Sequence, residues 1–386
     1  MDLARRAGAR YVGANSGSVA PTPYLGQVAT RCYTPNAKST GGLTQSMNRT
    51  RHIARDAITS VQLMFANWYQ RELAVGNTAT ITASVEYPAG TFTQVLFSGI
   101  AAGSIANGGQ ILSDAASVSI PDGATFFVRS HFTCASGFPY NLNSDPANGD
   151  VIAYAVSGLA DKTMSNPMPA NAGTLGYAPM AIIGMTSKAS VLLIGDSRCA
   201  GFSDVATGTS GDSGEIARSV GPARAYINSG CFTETPAQYI TTHTQRAALW
   251  PYCSHVVSNY AINSLVGSAT AADIYAGLAS IRGYFAGKPF YQTTIPPGTT
   301  SSDGWATTVN QTVTAYNAAR ITLNALIRAN SNGFDGWFEV ADVVETARDS
   351  GIWLAPGYTP DGVHDTNTAN LAIQASGNIN PAVFVR

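Results

Sequence analysis

Two unlike apolar periodicities predict an α/β chain, with a parallel-sheet domain preceded by a β-sandwich or jelly-roll domain. Between about residues 55 and 165 short runs alternate with period two and are separated by turn clusters. After about residue 188, apolar runs of four to six residues alternate with longer helical stretches. The first pattern suits strands with one face buried, and the second suits strands covered on both faces by helices.

Taken in order, residues 1–50 are rich in Gly, Ser, Thr, Asn and Pro without a sustained apolar period, and they read as an extended arm or linker. Residues 51–180 read as the β-sandwich. Its clearest strand is Thr78 to Tyr87, where Ala79, Ile81, Ala83, Val85 and Tyr87 alternate with polar residues. Val61 to Ala66, Thr93 to Phe97, Ala116 to Ile120, Thr125 to Phe132 and Val151 to Val156 are its companions, with turns at Pro88-Ala89-Gly90 and Pro121-Asp122-Gly123. Asp161 to Met180, with three prolines, is expected to connect the domains. Residues 181–386 form the α/β domain. Its strands are expected at Val191 to Ile194, Ala225 to Ile227, Val256 to Ile262, Phe290 to Ile295 and Gly336 to Val340, and its clearest helices at Ala271 to Phe285 and Trp305 to Ile327.

Composition narrows the function classes. Charged residues make up 12% of the 386, against ~25% in an average globular chain. With 22 basic and 23 acidic side chains and only four lysines, no cationic surface is available for nucleic acid or for polybasic membrane attachment. No apolar run of about 18 residues could span a bilayer. The N-terminus has two arginines but no apolar stretch of a signal peptide, while the low-lysine, Ser/Thr/Asn/Gly-rich composition leans towards a secreted or extracellular protein. The five cysteines lack CxxC spacing, and Cys231 with Cys253 is a candidate bridge. His52, His131, His243 and His255 show no metal-ligand spacing.

Chemistry concentrates at two places. The strand Val191 to Ile194 runs into Gly195-Asp196-Ser197-Arg198, which puts Ser197 just beyond a strand's carboxyl end, where open α/β sheets hold their ligands. Near the C-terminus, Asp361-Gly362-Val363-His364 places a carboxylate three residues before a histidine, so that Asp361 can orient the imidazole and His364 can take a proton from Ser197. A second Gly211-Asp212-Ser213 follows no strand and reads as loop. Cys199 is expected to point into the packing beneath the turn. Arg198 either positions an anionic or sugar substrate or is a solvated side chain.

In these blocks the chain from Ser190 onward resembles the SGNH hydrolases, the GDSL esterase superfamily. Gly195-Asp196-Ser197 matches the nucleophile block, with Arg198 where Leu is usual. Asn228-Ser229-Gly230 resembles the second block, Tyr260-Ala261-Ile262-Asn263 the third, with Ala261 and Ser264 where Gly and Asp are usual, and Asp361-Gly362-Val363-His364 the last. The resemblance implies a flavodoxin-like three-layer sheet, a Ser197–His364–Asp361 triad, an oxyanion hole formed by Ser197, Gly230 and Asn263, and no metal or organic cofactor. The expected activity is hydrolysis of short acyl esters, acetyl first, with an acylated carbohydrate or small ester as partner. The jelly-roll accessory domain, exposed aromatics such as Trp68, Tyr69 and Tyr140, and a Gly201 to Gly214 segment without an apolar lid favour carbohydrate. A general carboxylesterase or lipase-like enzyme, and a carbohydrate-binding or structural protein with a vestigial site, are the alternatives.

Overall fold

In the computed structural model, residues 21–141, 144–173, 175–205 and 211–386 are described. The α/β half is a six-stranded parallel sheet in the order Cys32–Tyr33, Ala225–Gly230, Ser190–Gly195, His255–Ser258, Phe290–Thr293, Gly336–Phe338. Without its first short strand, the order is second, first, third, fourth, fifth along the chain. The crevice where that order reverses lies beside Ser190–Gly195, whose six residues are all buried. Alternation explains the two covered faces. Leu192, Ile194, Ile227 and Val256 point into a core shared with helices Ala271–Tyr284 and Asn317–Ala329, whereas Val191, Leu193, Tyr226 and Val257 point to the opposite core with Val220, Ala369 and Ile373.

The other half contains two antiparallel sheets. One runs Tyr24–Gln27, Ala181–Thr186, Ile58–Ala66, Ala116–Ile120, with Gln110–Leu112 also on Ile58–Ala66. The second runs Val151–Ala155, Gln45–Ile53, Thr125–Thr133, Ala79–Glu86, Phe92–Val95, with Gly103–Ile105 also on Ala79–Glu86. Phe65 of the first and Phe132 of the second both meet the ring of Tyr177, at centroid distances of 5.8 and 4.8 Å. The two sheets therefore share apolar packing.

Several expected boundaries move. Of the 1–50 arm, residues 1–20 lie outside the described residues, but 21–50 are strongly structured: Tyr24–Gln27 pairs with Ala181–Thr186, Cys32–Tyr33 joins the edge of the parallel sheet, and Gln45–Ile53 lies between two strands. Gln45–Ile53 escaped the apolar pattern because its interior is polar, with Asn48, Arg51 and His52 buried. The boundary at residue 181 shifts as well, since Ala181–Thr186 belongs to the antiparallel half. Residues 187–189 make the passage, and the segment Asp161 to Met180 instead begins on the second sheet, bonded through Asp161 to Thr82 and through Thr163 to Ser84, and ends on the first, where the Met180 N–H donates to the Met64 carbonyl. The expected helix from Trp305 begins only at Asn317. Before it, Thr299–Ser301 pairs with Gln311–Val313, and Asp303 accepts bonds from Ser301, Thr307 and Asn310 that hold the connection in a turn. Val309, placed on the apolar face of that helix, is 86% exposed. All five cysteines are free, so Cys231 and Cys253 form no bridge.

Buried charge is paired throughout the antiparallel half. Glu86 accepts from Arg49 at 2.8 and 2.9 Å, from Arg129 at 2.8 Å and from the Gly90 N–H at 2.9 Å. Burial pushes its carboxyl up, but the bonds from Arg49, Gly90 and Arg129 prevail and hold it at about 2. A folded-state value below the unfolded one stabilises the fold above the ordinary value of 4.5, and this stabilisation is lost as pH falls towards about 2. Glu86→Gln should therefore cost about 3 kcal/mol in urea unfolding at pH 7. The gap from wild type should narrow at pH 3, and a gap independent of pH would contradict the ionised bridge.

Candidate active site

The turn that carries Ser197 is shaped by what lies behind it. A Cβ at Gly195 would sit 1.8 Å from Asn259 Oδ1 and 2.7 Å from Cys199 Cβ, so only glycine fits there. Asn259 Oδ1 accepts the Asp196 N–H at 3.2 Å, and its Nδ2 donates to Glu215 at 3.1 Å. The Asp196 carboxylate in turn accepts the Arg198 N–H at 3.0 Å. These bonds close the turn from below and leave Ser197 at its crest.

Ser197 Oγ is 2.8 Å from His364 Nε2, and His364 Nδ1 is 2.6 Å from Asp361 Oδ2. The three sequence-predicted residues thus form one hydrogen-bonded row. Asp361 is positioned by its own turn: Oδ1 accepts the N–H groups of Val363 and His364, each at 2.9 Å, and Gly362 adopts φ +81° against the Thr299 carbonyl, where a Cβ would come within 1.9 Å. Partial burial pushes the Asp361 carboxyl up, but the bonds from the His364 ring and from the two N–H groups prevail and hold it at about 2. With Asp361 ionised, the imidazole tautomer that carries its proton on Nδ1 is favoured, leaving Nε2 free to accept from the serine hydroxyl.

Gly230 ends the neighbouring strand, opposite Gly195. A Cβ there would lie 2.5 Å from the Ala200 nitrogen, which places Gly230 against the Ser197 turn. Its N–H is not free, because it donates to Asn228 Oδ1 at 2.9 Å while Asn228 Nδ2 donates to the Cys199 carbonyl at 2.8 Å. Asn263 donates through Nδ2 to the Glu234 carbonyl at 3.1 Å, which ties its amide to the loop that follows Gly230 and leaves the second amide hydrogen available. The Ser197 N–H has no hydrogen-bond partner among the described residues.

Arg198 does not face a substrate. Its side chain is fully buried, with Nε 3.7 Å from both Asp196 Oδ1 and Glu215 Oε2. Asp365, directly after His364, is also buried and interacts electrostatically with Arg198, Glu215 and Asp196. One guanidinium thus lies 3.7 Å from two carboxylates, with a third buried carboxyl acting on it electrostatically. Burial raises the carboxyl of Asp365 well above the usual range and raises those of Glu215 and Asp196 as well. Cys199 lies beneath the turn as expected, its thiol pushed up by burial and so held un-ionised. Asp212 of the second Gly-Asp-Ser copy is buried and accepts from the Tyr226 hydroxyl at 2.7 Å. Trp68 and Tyr69 are core residues rather than sugar platforms, and Tyr140 packs half-buried at the core's edge. The part of the Gly201 to Gly214 segment at 206–210 lies outside the described residues.

The sequence reading missed Phe202, whose ring centroid lies 4.5 Å from that of His364, and Arg71, which reaches from the antiparallel half to the loop after Gly230. It also missed Asn259 and Glu215. Only Asn259 had a local signal, its place at the end of a strand. Among the described residues no group of His, Cys, Asp and Glu side chains could hold a metal ion, and no helix is long and apolar enough to cross a membrane.

No protein-family model matches the chain, and no curated protein matches it. Solved structures do resemble it over about half its length. A GDSL-like lipase from Bacteroides thetaiotaomicron is 17% identical, over 50% of this chain and 88% of that one, with a TM-score of 0.37. A carbohydrate acetylesterase from Sinorhizobium meliloti is 17% identical, over 51% of this chain and 100% of that one, with a TM-score of 0.36. A variant of an acetyl-xylooligosaccharide esterase from Geobacillus Stearmophilus is 15% identical, over 51% and 96%, with a TM-score of 0.36.

The Gly195–Asn259 approach can be tested by a double-mutant cycle. Gly195→Ala should destabilise the protein by at least about 2 kcal/mol through overpacking. In an Asn259→Gly background the same methyl should cost less, the remainder being its contact with Cys199 Cβ. Equal costs in the two backgrounds, read by urea unfolding, would contradict the account.

Proposed function

We propose that the protein is a serine esterase of the SGNH type that removes short acyl groups, acetyl first, from carbohydrate. The observation that carries the reading is the row Ser197 Oγ, His364 Nε2 and Asp361 Oδ2, at 2.8 and 2.6 Å. Such a row serves acyl transfer because a neutral hydroxyl attacks a carbonyl only as its proton leaves, and the acceptor must be both basic and fixed.

In the proposed cycle His364 takes the Ser197 proton as Oγ bonds to the ester carbonyl carbon. The negative oxygen is met by the Ser197 N–H, by the Gly230 N–H shared with Asn228, and by the second amide hydrogen of Asn263. His364 then gives the proton to the leaving alcohol as the C–O bond breaks. Water, deprotonated by His364, hydrolyses the acyl-enzyme, and Ser197 is regenerated. Asp361 holds the ring and stabilises the imidazolium formed in each half. Loss of one oxyanion donor costs about 3 kcal/mol of barrier, roughly 10²-fold in rate.

A hydrated substrate is supported by the neutral polar composition, which also favours an exported protein. We assign the two antiparallel sheets to a sandwich-like accessory domain that buttresses the site through its N-terminal strands.

Ser197→Ala should lower kcat on ethyl acetate by at least about 10⁴-fold, and Asp361→Asn by about 10³ to 10⁴-fold. Ser197→Ala should unfold at a urea midpoint close to wild type. Ser197→Ala with wild-type turnover would overturn the reading, and so would a wild type inactive on every short-chain ester.

A further inference from the structure

Two phenyl rings stand at the rim of the site, and neither is accounted for by the acyl-transfer row. Phe202 is 44% exposed, although its ring centroid is 4.5 Å from that of the His364 imidazole, the two planes tilted by 53°. Phe232, half-buried, meets it edge-on at 5.7 Å and 75°. The two come from different loops, one five residues after Ser197 and the other two residues after Gly230. Each is followed by a non-glycine residue in the left-handed region, Ser203 at φ +63° and Thr233 at φ +61°. A β-carbon is disfavoured there, and such conformations persist only where surrounding structure imposes them.

One imposing contact is visible. Arg71, on the antiparallel half, donates through Nη2 to the Phe232 carbonyl at 2.8 Å and to Thr233 Oγ1 at 2.7 Å. Gln70 beside it donates to the Ser229 carbonyl at 3.0 Å, one residue before Gly230. The accessory half therefore holds the Phe232 loop in its strained form. Phe202 and Phe232 meet edge-on, so together they put a small aromatic patch beside the site.

The side on which Phe202 stands defines its role. His364 passes its proton to the leaving alcohol, so a ring beside the imidazole borders the alcohol half of the ester. We propose that Phe202, with Phe232 at its edge, is the platform for the alcohol half of the substrate, and that this half is a sugar ring whose apolar C–H face lies on the phenyl. The inference rests on the esterase reading and deepens it. The chemistry is unchanged: the ester C–O bond breaks, the sugar oxygen receives the proton from His364, and the acyl group passes to Ser197 and then to water. Phe202 reacts with nothing and acts by binding and orientation.

The test compares two acetates that share the acyl group and differ in the alcohol, methyl tri-O-acetyl-xylopyranoside and ethyl acetate. The ratio of kcat/KM for the sugar ester to kcat/KM for ethyl acetate is measured for wild type, Phe202→Ala and Phe202→Trp. Phe202→Ala should lower the ratio about tenfold, mainly through KM for the sugar ester, and Phe202→Trp should restore it to within about threefold of wild type. Loss by the same factor on both esters would mean that Phe202 only supports His364, and would overturn the proposal. So would an unchanged ratio, or a ratio that Trp fails to restore. Discrimination by Phe202→Ala between ethyl acetate and ethyl butyrate, with the sugar ratio unchanged, would move the platform to the acyl side. A wild type inactive on both acetates would instead overturn the esterase reading itself, an outcome distinct from all of these.

Discussion

The site depends on one close approach. Because Gly195 has no side chain, Asn259 can cross directly behind the Ser197 turn, bonding to the Asp196 N–H on one side and to Glu215 on the other. That crossing links the ends of two adjacent parallel strands at the point where the strand order reverses. Everything on the serine side of the site follows from it: the crest position of Ser197, the inward direction of Arg198 and the burial of Cys199. The histidine side is built locally, by an Asp361 carboxylate that accepts two N–H groups of its own turn before it accepts the imidazole.

Between these two sides lies a buried group of charges that no solvent reaches. Arg198 occupies the position after Ser197 and Asp365 the position after His364, so the chain buries a cation next to one member of the row and a carboxyl next to another. Burial raises the carboxyls of Asp365, Glu215 and Asp196, and the nearby Arg198 guanidinium works against that rise in each. Arg198 is turned inward, its guanidinium 3.7 Å from two carboxylates below the turn.

Much of the site was legible because its signals are local. A strand ending in Gly-Asp-Ser and a carboxylate three residues before a histidine each specify their geometry within a few residues, and both were found where expected. The parallel strands were legible from their all-apolar runs. What escaped was non-local or polar. Gln45–Ile53 buries Asn48, Arg51 and His52, so no alternation marks it, and the two-residue strand Cys32–Tyr33 gains its place only by pairing with Ala225–Gly230. The apolar spacing of Val309, Val313 and Tyr316 imitated a helix, but Asp303 collects three side-chain bonds that favour a turn. Phe202 and Arg71 gave no signal because their meaning depends on His364 and Phe232, which are distant in sequence. The free Gly230 N–H expected from the motif is shared with Asn228, a contact that spacing alone does not reveal.

The central claim is that Ser197 is the one activated nucleophile. It is tested most directly by exposing the folded protein to diethyl p-nitrophenyl phosphate, followed by intact-mass measurement and peptide mapping. The account predicts a single diethylphosphoryl adduct, on Ser197, formed far more slowly when His364 is replaced by alanine. An adduct on Ser213 or on Cys199, or labelling of Ser197 at the same rate without His364, would contradict it.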